Sequence, residues 1–167
     1  MKTIAAIIGI LFFLIITPLY AHTVSVGKFT KVEGRIDVTR PGREARIVHV
    51  GDPLYQKDII RAKSRSKAEI LFSDGNILRL AQNTRVEISE YIAGTGKTSA
   101  IIKLFRGKIQ NKVKKLIGRI FGRSKSRYEV HTPTSVCGVR GTNFFTFHQK
   151  GISGSMFKEG FGYGYRA

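Results

Sequence analysis

Apolar and polar residues alternate along most of the chain that follows the first 21 residues. A period of two is typical of β-strands with one buried face. The alternating stretches are separated by breaks rich in Gly, Pro, Asn and Asp at intervals of roughly eight to twelve residues. Strands are predicted near residues 32–38, 47–48, 59–60, 68–72, 77–80, 86–88, 101–104, 109–113, 128–131, 144–147, 156–157 and 161–165. The pattern predicts an all-β fold, a compact stack of short strands in a sandwich or solenoid-like arrangement.

One segment departs from this period. Between residues 112 and 122 the apolar residues follow the helical spacing i, i+3, i+4, i+7 and i+8, and they are Val113, Leu116, Ile117, Ile120 and Phe121. That spacing places them on one stripe of a helix, with basic residues on the remaining surface. The sequence therefore predicts one short basic amphipathic helix near residues 112–122.

The amino terminus has the layout of a secretory signal peptide. Lys2 supplies the positive charge, residues 4–16 are almost wholly apolar, and Leu19-Tyr20-Ala21 ends in a small residue. We expect cleavage after Ala21, which leaves residues 22–167 as one exported, periplasmic domain. The alternatives left open are an uncleaved membrane anchor at this end and a C-terminal truncation at the other.

Cys137 is the only cysteine, so no internal disulfide is expected despite the oxidising compartment. A lone thiol between Val136 and Gly138 is more typical of a small buried side chain than of a nucleophile. A thiol enzyme is not expected, because on an extended chain His131 lies roughly 20 Å from Cys137, too far for proton transfer. His49 could approach from elsewhere in the chain. The four isolated histidines and the single cysteine also lack the spacing of a metal site.

The chain is strongly basic, with 29 Lys and Arg against 11 Asp and Glu, a formal net charge of +18. Ten of these cations and no acid fall between residues 103 and 127. We expect anion or partner binding there, at Lys108, Lys112, Lys114, Lys115, Arg119 and Arg123. The helix in this segment has two interpretations: it lies on anionic lipid or acidic glycan, or it covers an open end of the β core while its cations stay solvated. Nucleic acid is not expected, because the protein is exported and the basic clusters lack stacking aromatics.

The segment Gly94-Thr95-Gly96-Lys97-Thr98 copies the end of a phosphate-binding loop. The complete pattern needs glycine five residues before Gly96, where the chain has Tyr91. We interpret the segment as a surface loop between two strands and expect neither a nucleotide nor another cofactor.

The most specific segment runs from His131 to Phe144, with Pro133 near its start and Val139-Arg140 between two glycines. Proline fixes its own φ, and Gly138 and Gly141 tolerate positive φ or a close approach of backbone. We expect a rigid corner at which the Arg140 guanidinium donates hydrogen bonds to several backbone carbonyls or binds a carboxylate through two hydrogen bonds. Replacing Arg140 with alanine should then destabilise the fold.

These residues resemble the FecR domain, in which a T-P-x-x-x-x-G-V-R-G-T-x-F segment occupies this place. Weaker agreement comes from Gly34, from Gly51-Asp52 followed by Asp58, from the turn Ser73-Asp74-Gly75-Asn76 and from Arg106-Gly107-Lys108. The resemblance spans residues 24–163. The motif residues it identifies as structural are Thr132, Pro133, Gly138, Val139, Arg140, Gly141, Thr142, Phe144, Gly51 and Asp52.

The resemblance implies a non-enzymatic binding module, with a sensing or regulatory relay role in which the domain meets another envelope protein. Family members that act as transmembrane regulators carry a cytoplasmic segment ahead of the membrane span. Only one residue precedes Lys2 here, so direct control of a sigma factor is not expected. The alternative is a structural envelope protein whose basic surface holds acidic polysaccharide or anionic lipid.

Overall fold

The computed structural model describes residues 24–94, 97–114, 126–139, 141–160 and 162–166. The predicted signal peptide, residues 1–21, lies outside the described residues. Within the described part of the chain, no helix has the length and apolar character needed to cross a membrane.

The described residues form fourteen β-strands connected by hydrogen bonds into one curled, half-barrel sheet. The all-β prediction is confirmed. The strands are β1 Ser25–Glu33, β2 Ile36–Thr39, β3 Arg46–Ile47, β4 Pro53–Tyr55, β5 Ile59–Ala62, β6 Lys67–Phe72, β7 Ile77–Leu80, β8 Thr84–Gly94, β9 Lys97–Lys112, β10 Arg127–His131, β11 Ser135–Val139, β12 Asn143–Gln149, β13 Ile152–Glu159 and β14 Gly162–Arg166.

The long strand β9 divides this sheet into two halves. Its first part pairs with β8 and, in parallel, with β10, while its second part pairs with β7 and β12. The first half therefore has the order β3-β2-β5-β8-β9-β10-β11-β14, and the second half has the order β4-β1-β6-β7-β9-β12-β13. All described pairings except β9–β10 are antiparallel. A solenoid of stacked repeats does not fit this connectivity.

The change of partners occurs at Gly107, whose φ is +99°. A Cβ at Gly107 would lie 2.6 Å from the Cα of Thr84, so the bend of β9 requires glycine both for its dihedral and for the close approach of β8. The sequence before and after this bend keeps the alternation of a strand, and the two parts contribute to different halves of the sheet.

One hydrophobic core lies between the two halves. Strand β6 illustrates its origin, because Ala68, Ile70 and Phe72 are buried while Lys67 and the residues between them face outward. The fully buried side chains come from both halves of the sheet and include Phe29, Leu54, Ile60, Leu78, Ile88, Ile102, Leu104, Ile109 and Phe144. The two halves are held together chiefly by burial of these apolar faces.

The short helix predicted near residues 112–122 is not seen. Lys112 belongs to β9, where it pairs with Ile77 and Asn143, and the backbone N–H of Val113 donates to the carbonyl of Thr142 at 2.9 Å. Neither Val113 nor Lys114 is helical, and residues 115–125 lie outside the described residues. Lys112, the first residue of the predicted helix, is extended because β7 and β12 pair with β9 on both sides.

Candidate functional site

The segment from His131 to Phe144, called the motif below, begins with a tight turn between β10 and β11. The N–H of Thr132 donates to the carbonyl of Ser135 at 2.8 Å, and the N–H of Ser135 donates to the Thr132 hydroxyl at 3.0 Å. Thr132 is buried, while Pro133 and Thr134 are exposed at the tip. A threonine hydroxyl that bonds local backbone closes such a turn without help from the rest of the fold, and proline at the second position of the turn fixes the φ that the turn needs.

Beyond this turn, β11 presents its residues to opposite faces of the sheet. Val139 and Cys137 face the core, whereas Gly138 lies on the outer face beneath the ring of Tyr163 from β14. A Cβ at Gly138 would lie 2.3 Å from the Tyr163 ring. The glycine thus lets an aromatic side chain of the neighbouring strand approach the backbone of β11 closely.

The end of the motif carries the chain from the first half of the sheet to the second. Gly141 has φ +68°, the buried Thr142 accepts the N–H of Val113, and Phe144 is completely buried in β12. The Phe144 ring packs edge-on against Tyr128, with centroids 6.4 Å apart, so it joins the two halves. Arg140, the residue expected to organise the corner, lies outside the described residues, and its role stays a prediction.

A buried carboxylate lies beside the motif on the outer face of β10. Glu129 is 4% exposed, and Arg127 grips it with two hydrogen bonds of 2.7 Å, while His131 Nε2 lies 2.8 Å from its second oxygen. The hydrogen bonds from Arg127 outweigh burial and, with help from His131, hold the pKa of Glu129 below its ordinary value. This cluster was not predicted from the sequence, although Arg, Glu and His at i, i+2 and i+4 of a strand share one face.

Gly51 and Asp52 lie in a different turn. The Asp52 carboxylate accepts the N–H of His49 at 3.1 Å and pairs with Arg46 at 2.7 Å, and these two contacts, in that order, lower its pKa. The turn is fixed to β1, because the N–H of Gly51 donates to the carbonyl of Phe29 at 2.8 Å. Among the described hydrogen bonds, none joins this turn to the His131–Phe144 motif.

The predicted anion-binding residues that the structure describes, Lys108, Lys112 and Lys114, do not form a single cluster. Lys108 and Lys112 are exposed on the outer face of β9, four residues apart. Lys114 extends instead over Gly75, where a Cβ would lie 2.4 Å from its Nζ. None of the three has an ion pair among the described residues. Lys115, Arg119 and Arg123 lie outside the described residues.

Nothing in the sequence indicated that the Ser73–Asn76 turn forms partly buried hydrogen bonds to other strands. Asp74 accepts hydrogen bonds from the hydroxyls of Tyr91 and Thr98, each at 2.8 Å, and Asn76 accepts the N–H of Lys114 at 2.8 Å. Both partner hydroxyls come from the first half of the sheet, so this hairpin of the second half ties the halves together. The only sequence signal was turn composition, which does not reveal long-range partners.

The described geometry does not pair the single thiol with a histidine. Cys137 lies opposite Val130 and faces the core, where burial raises the pKa of its thiol. His131 lies opposite Val136 on the outer face and contacts Glu129. Among the described residues, no group of three His, Cys, Asp or Glu side chains could hold a metal ion.

The fold and the motif define an all-β domain in which one Thr-Pro to Phe segment joins the two halves of a curled sheet. The profile of the FecR protein family matches residues 58–156, 99 of the 167 residues. The chain belongs to the FecR family, as the resemblance of the motif predicted. This is generally a family of signal-transduction and regulatory proteins that are not enzymes.

The other comparisons add little. No curated protein matches the sequence. One solved structure, described as a cell surface anchoring domain, is 23% identical, and the match covers 38% of this chain and 84% of that chain with a TM-score of 0.37. A likeness of this size supports no conclusion about this protein.

Proposed function

We propose that this protein is an exported, non-catalytic FecR module that acts in sensing or regulation by binding another envelope protein. Family membership supports the regulatory role. The observation that supports the mode of binding is that the last two strands of the sheet each have one edge without a partner among the described strands. In the part of the chain that the structure describes, β13 pairs only with β12, and β14 pairs only with β11.

These edge strands also carry exposed apolar side chains. Among the described large hydrophobic residues that are exposed, half lie in β13 and β14: Ile152, Met156, Phe157, Tyr163 and Tyr165. An unpaired edge offers a row of free backbone donors and acceptors, and the flanking side chains offer apolar contact to a partner. An extended segment of the partner would add a strand to β13, the longer edge of eight residues, and its side chains would contact Ile152 and Met156.

Site-specific crosslinking tests this proposal. A photoreactive residue at position 156, expressed in the native envelope, should give one discrete adduct with another envelope protein, and Ile152→Lys should abolish it while leaving the melting temperature unchanged. The matched control is a photoreactive residue at Ile92, which is 60% exposed against 67% for Met156 but lies on β8. A retained adduct in Ile152→Lys, or the same adduct from position 92, would refute strand addition at β13.

A salt wash separates this function from simple charge attraction. A packed protein interface should survive high salt, whereas attraction between surface charges weakens steeply. The partner should therefore remain bound to the purified protein at high ionic strength.

Export is a separate proposal. Sequencing the amino terminus of the protein isolated from cells should give His22 as the first residue, as cleavage after Ala21 requires. An intact Met1 in the membrane fraction would support an uncleaved anchor instead.

A further inference from the structure

Several turns that are distant in sequence meet at the end of the sheet where β9 bends. The N–H of Lys63 donates to the carbonyl of Arg35 at 3.1 Å, and the N–H of Asn83 donates to the carbonyl of Lys63 at 3.2 Å. The N–H of Ala81 donates to the carbonyl of Lys108 at 3.0 Å. His148, at the end of β12, lies opposite Gly107. We call this end, formed by residues 34–35, 63–66, 81–83, 106–108 and 148–151, the basic end.

The basic end has several cations and no acidic residue. Among its described cations, Lys63 pairs with Asp37 at 3.2 Å, but the side chains of Arg35, Arg65, Arg106, Lys108 and Lys150 have no ion pair. All five are exposed. Like charges gathered at one end of a fold repel one another, and an anionic ligand relieves that repulsion.

A pocket of about 390 Å³ opens within the basic end. It is lined by Asn83, Arg106, Gly107, His148, Gln149 and Lys150. The Nδ1 atom of His148 lies 2.8 Å from the Ser153 hydroxyl, which fixes the ring in the wall of the pocket. Arg106 and Lys150 supply charge, and the side-chain amides of Asn83 and Gln149 supply neutral donors and acceptors.

This combination indicates the chemistry of the ligand. The volume falls within the roughly 300–1,000 Å³ range of small-molecule sites and exceeds what a single free phosphate would fill. A guanidinium and an ammonium recognise a carboxylate or phosphate, whereas amide groups recognise hydroxyls. We propose that the pocket binds an acidic sugar residue of a polysaccharide, with the surrounding cations contacting neighbouring residues of the same chain. The pocket adjoins the beginning of β13, because Gln149 pairs with Ile152 and His148 contacts Ser153.

Calorimetric titration of the purified full chain tests the proposal, with tetragalacturonate as the acidic probe and maltotetraose as its neutral counterpart. We expect the acidic tetrasaccharide to bind and the neutral one not to. Arg106→Gln combined with Lys150→Gln should weaken binding at least about tenfold, because each removes a charge-assisted contact. Gln149→Ala should weaken the binding of tetragalacturonate but not that of citrate, which offers carboxylates without a sugar ring.

The matched control is Lys28→Gln combined with Arg43→Gln, which likewise removes one lysine and one arginine charge, from exposed positions on β1 and in the turn between β2 and β3, outside the basic end. It should change affinity less than about twofold. Equal losses in the two double variants would overturn the pocket in favour of general surface charge. Binding to vesicles of phosphatidylglycerol but not to tetragalacturonate would show that the ligand is a lipid headgroup and would also overturn the proposal, as would no binding of either probe.

Discussion

At the scale of single residues, stability should be most sensitive to substitution where polar atoms are buried. Asn111 is completely buried on β9, where its Oδ1 accepts the Tyr128 hydroxyl at 2.9 Å, while its Nδ2 has no hydrogen-bond partner among the described residues. Burial raises the pKa of Tyr128 well above its ordinary value, so the hydroxyl stays protonated and donates. A half-satisfied amide in a core is costly.

Replacing both members of this pair should therefore be better tolerated than replacing one. Tyr128→Phe should cost about 1–3 kcal/mol in the free energy of unfolding, because the Asn111 oxygen then loses its partner too. Tyr128→Phe combined with Asn111→Leu should recover most of that loss, because two apolar groups of similar shape leave no polar atom unpaired. Denaturant unfolding of the parent, both single variants and the double variant measures the coupling. Additive effects would contradict it.

Glu129 makes stability depend on pH. Its pKa in the folded protein is lowered, chiefly by Arg127, so its contribution is present above its ordinary pKa and is lost as pH falls through the folded value. Glu129→Gln should lower the melting temperature at neutral pH, and the difference from the parent should shrink below about pH 4. The matched control is Glu44→Gln, an exposed carboxyl with no ion pair among the described residues. A difference that stays constant with pH would contradict this role.

At the scale of elements, β9 determines how the sheet divides. Its bend depends on Gly107, where a side chain would meet both an unfavourable φ and the backbone of Thr84. Gly107→Ala should cost about 3 kcal/mol or more in the free energy of unfolding, the sum of dihedral strain and overpacking.

Gly42 offers a matched control for this substitution. Its φ is also positive, +71° against +99° at Gly107, but nothing lies within 4 Å of a Cβ there. Gly42→Ala should cost only the dihedral strain, about 1 kcal/mol. Thermal or denaturant unfolding measures both, and equal costs would show that β9 and β8 can move apart.

At the scale of the whole molecule, positive charges far outnumber negative charges. The chain carries a formal net charge of +18, and the basic end gathers cations that have no acidic partner among the described residues. Such a charge destabilises the compact state through self-repulsion and attracts polyanions.

Screening should therefore stabilise the protein. Raising NaCl from roughly 20 to 300 mM shortens the Debye length several-fold and should raise the melting temperature. The double variant Arg106→Gln with Lys150→Gln should show a smaller rise, because two repelling charges are already gone. A melting temperature that falls with salt would mean that favourable ion pairs, such as those of Asp37 and Asp58, outweigh the repulsion.

By itself the sequence determined the fold class, the motif and the family. Alternation with period two reflects burial of one face of each strand. This is a local property, and it can be read directly from the order of apolar and polar residues. The same holds for the turn residues, such as Thr132, whose hydrogen bonds to Ser135 are local.

Only the tertiary structure decided which residues meet. The helical spacing from Val113 indicated a helix, but Lys112 lies in β9 between β7 and β12, Val113 and Lys114 are not helical, and residues 115–125 lie outside the described residues. The Asp74 anchor, the Glu129 cluster and the basic end all join residues from separate strands or turns. Side-chain hydrogen bonds and charge clusters of this kind depend on pairing register, which a period of two leaves open.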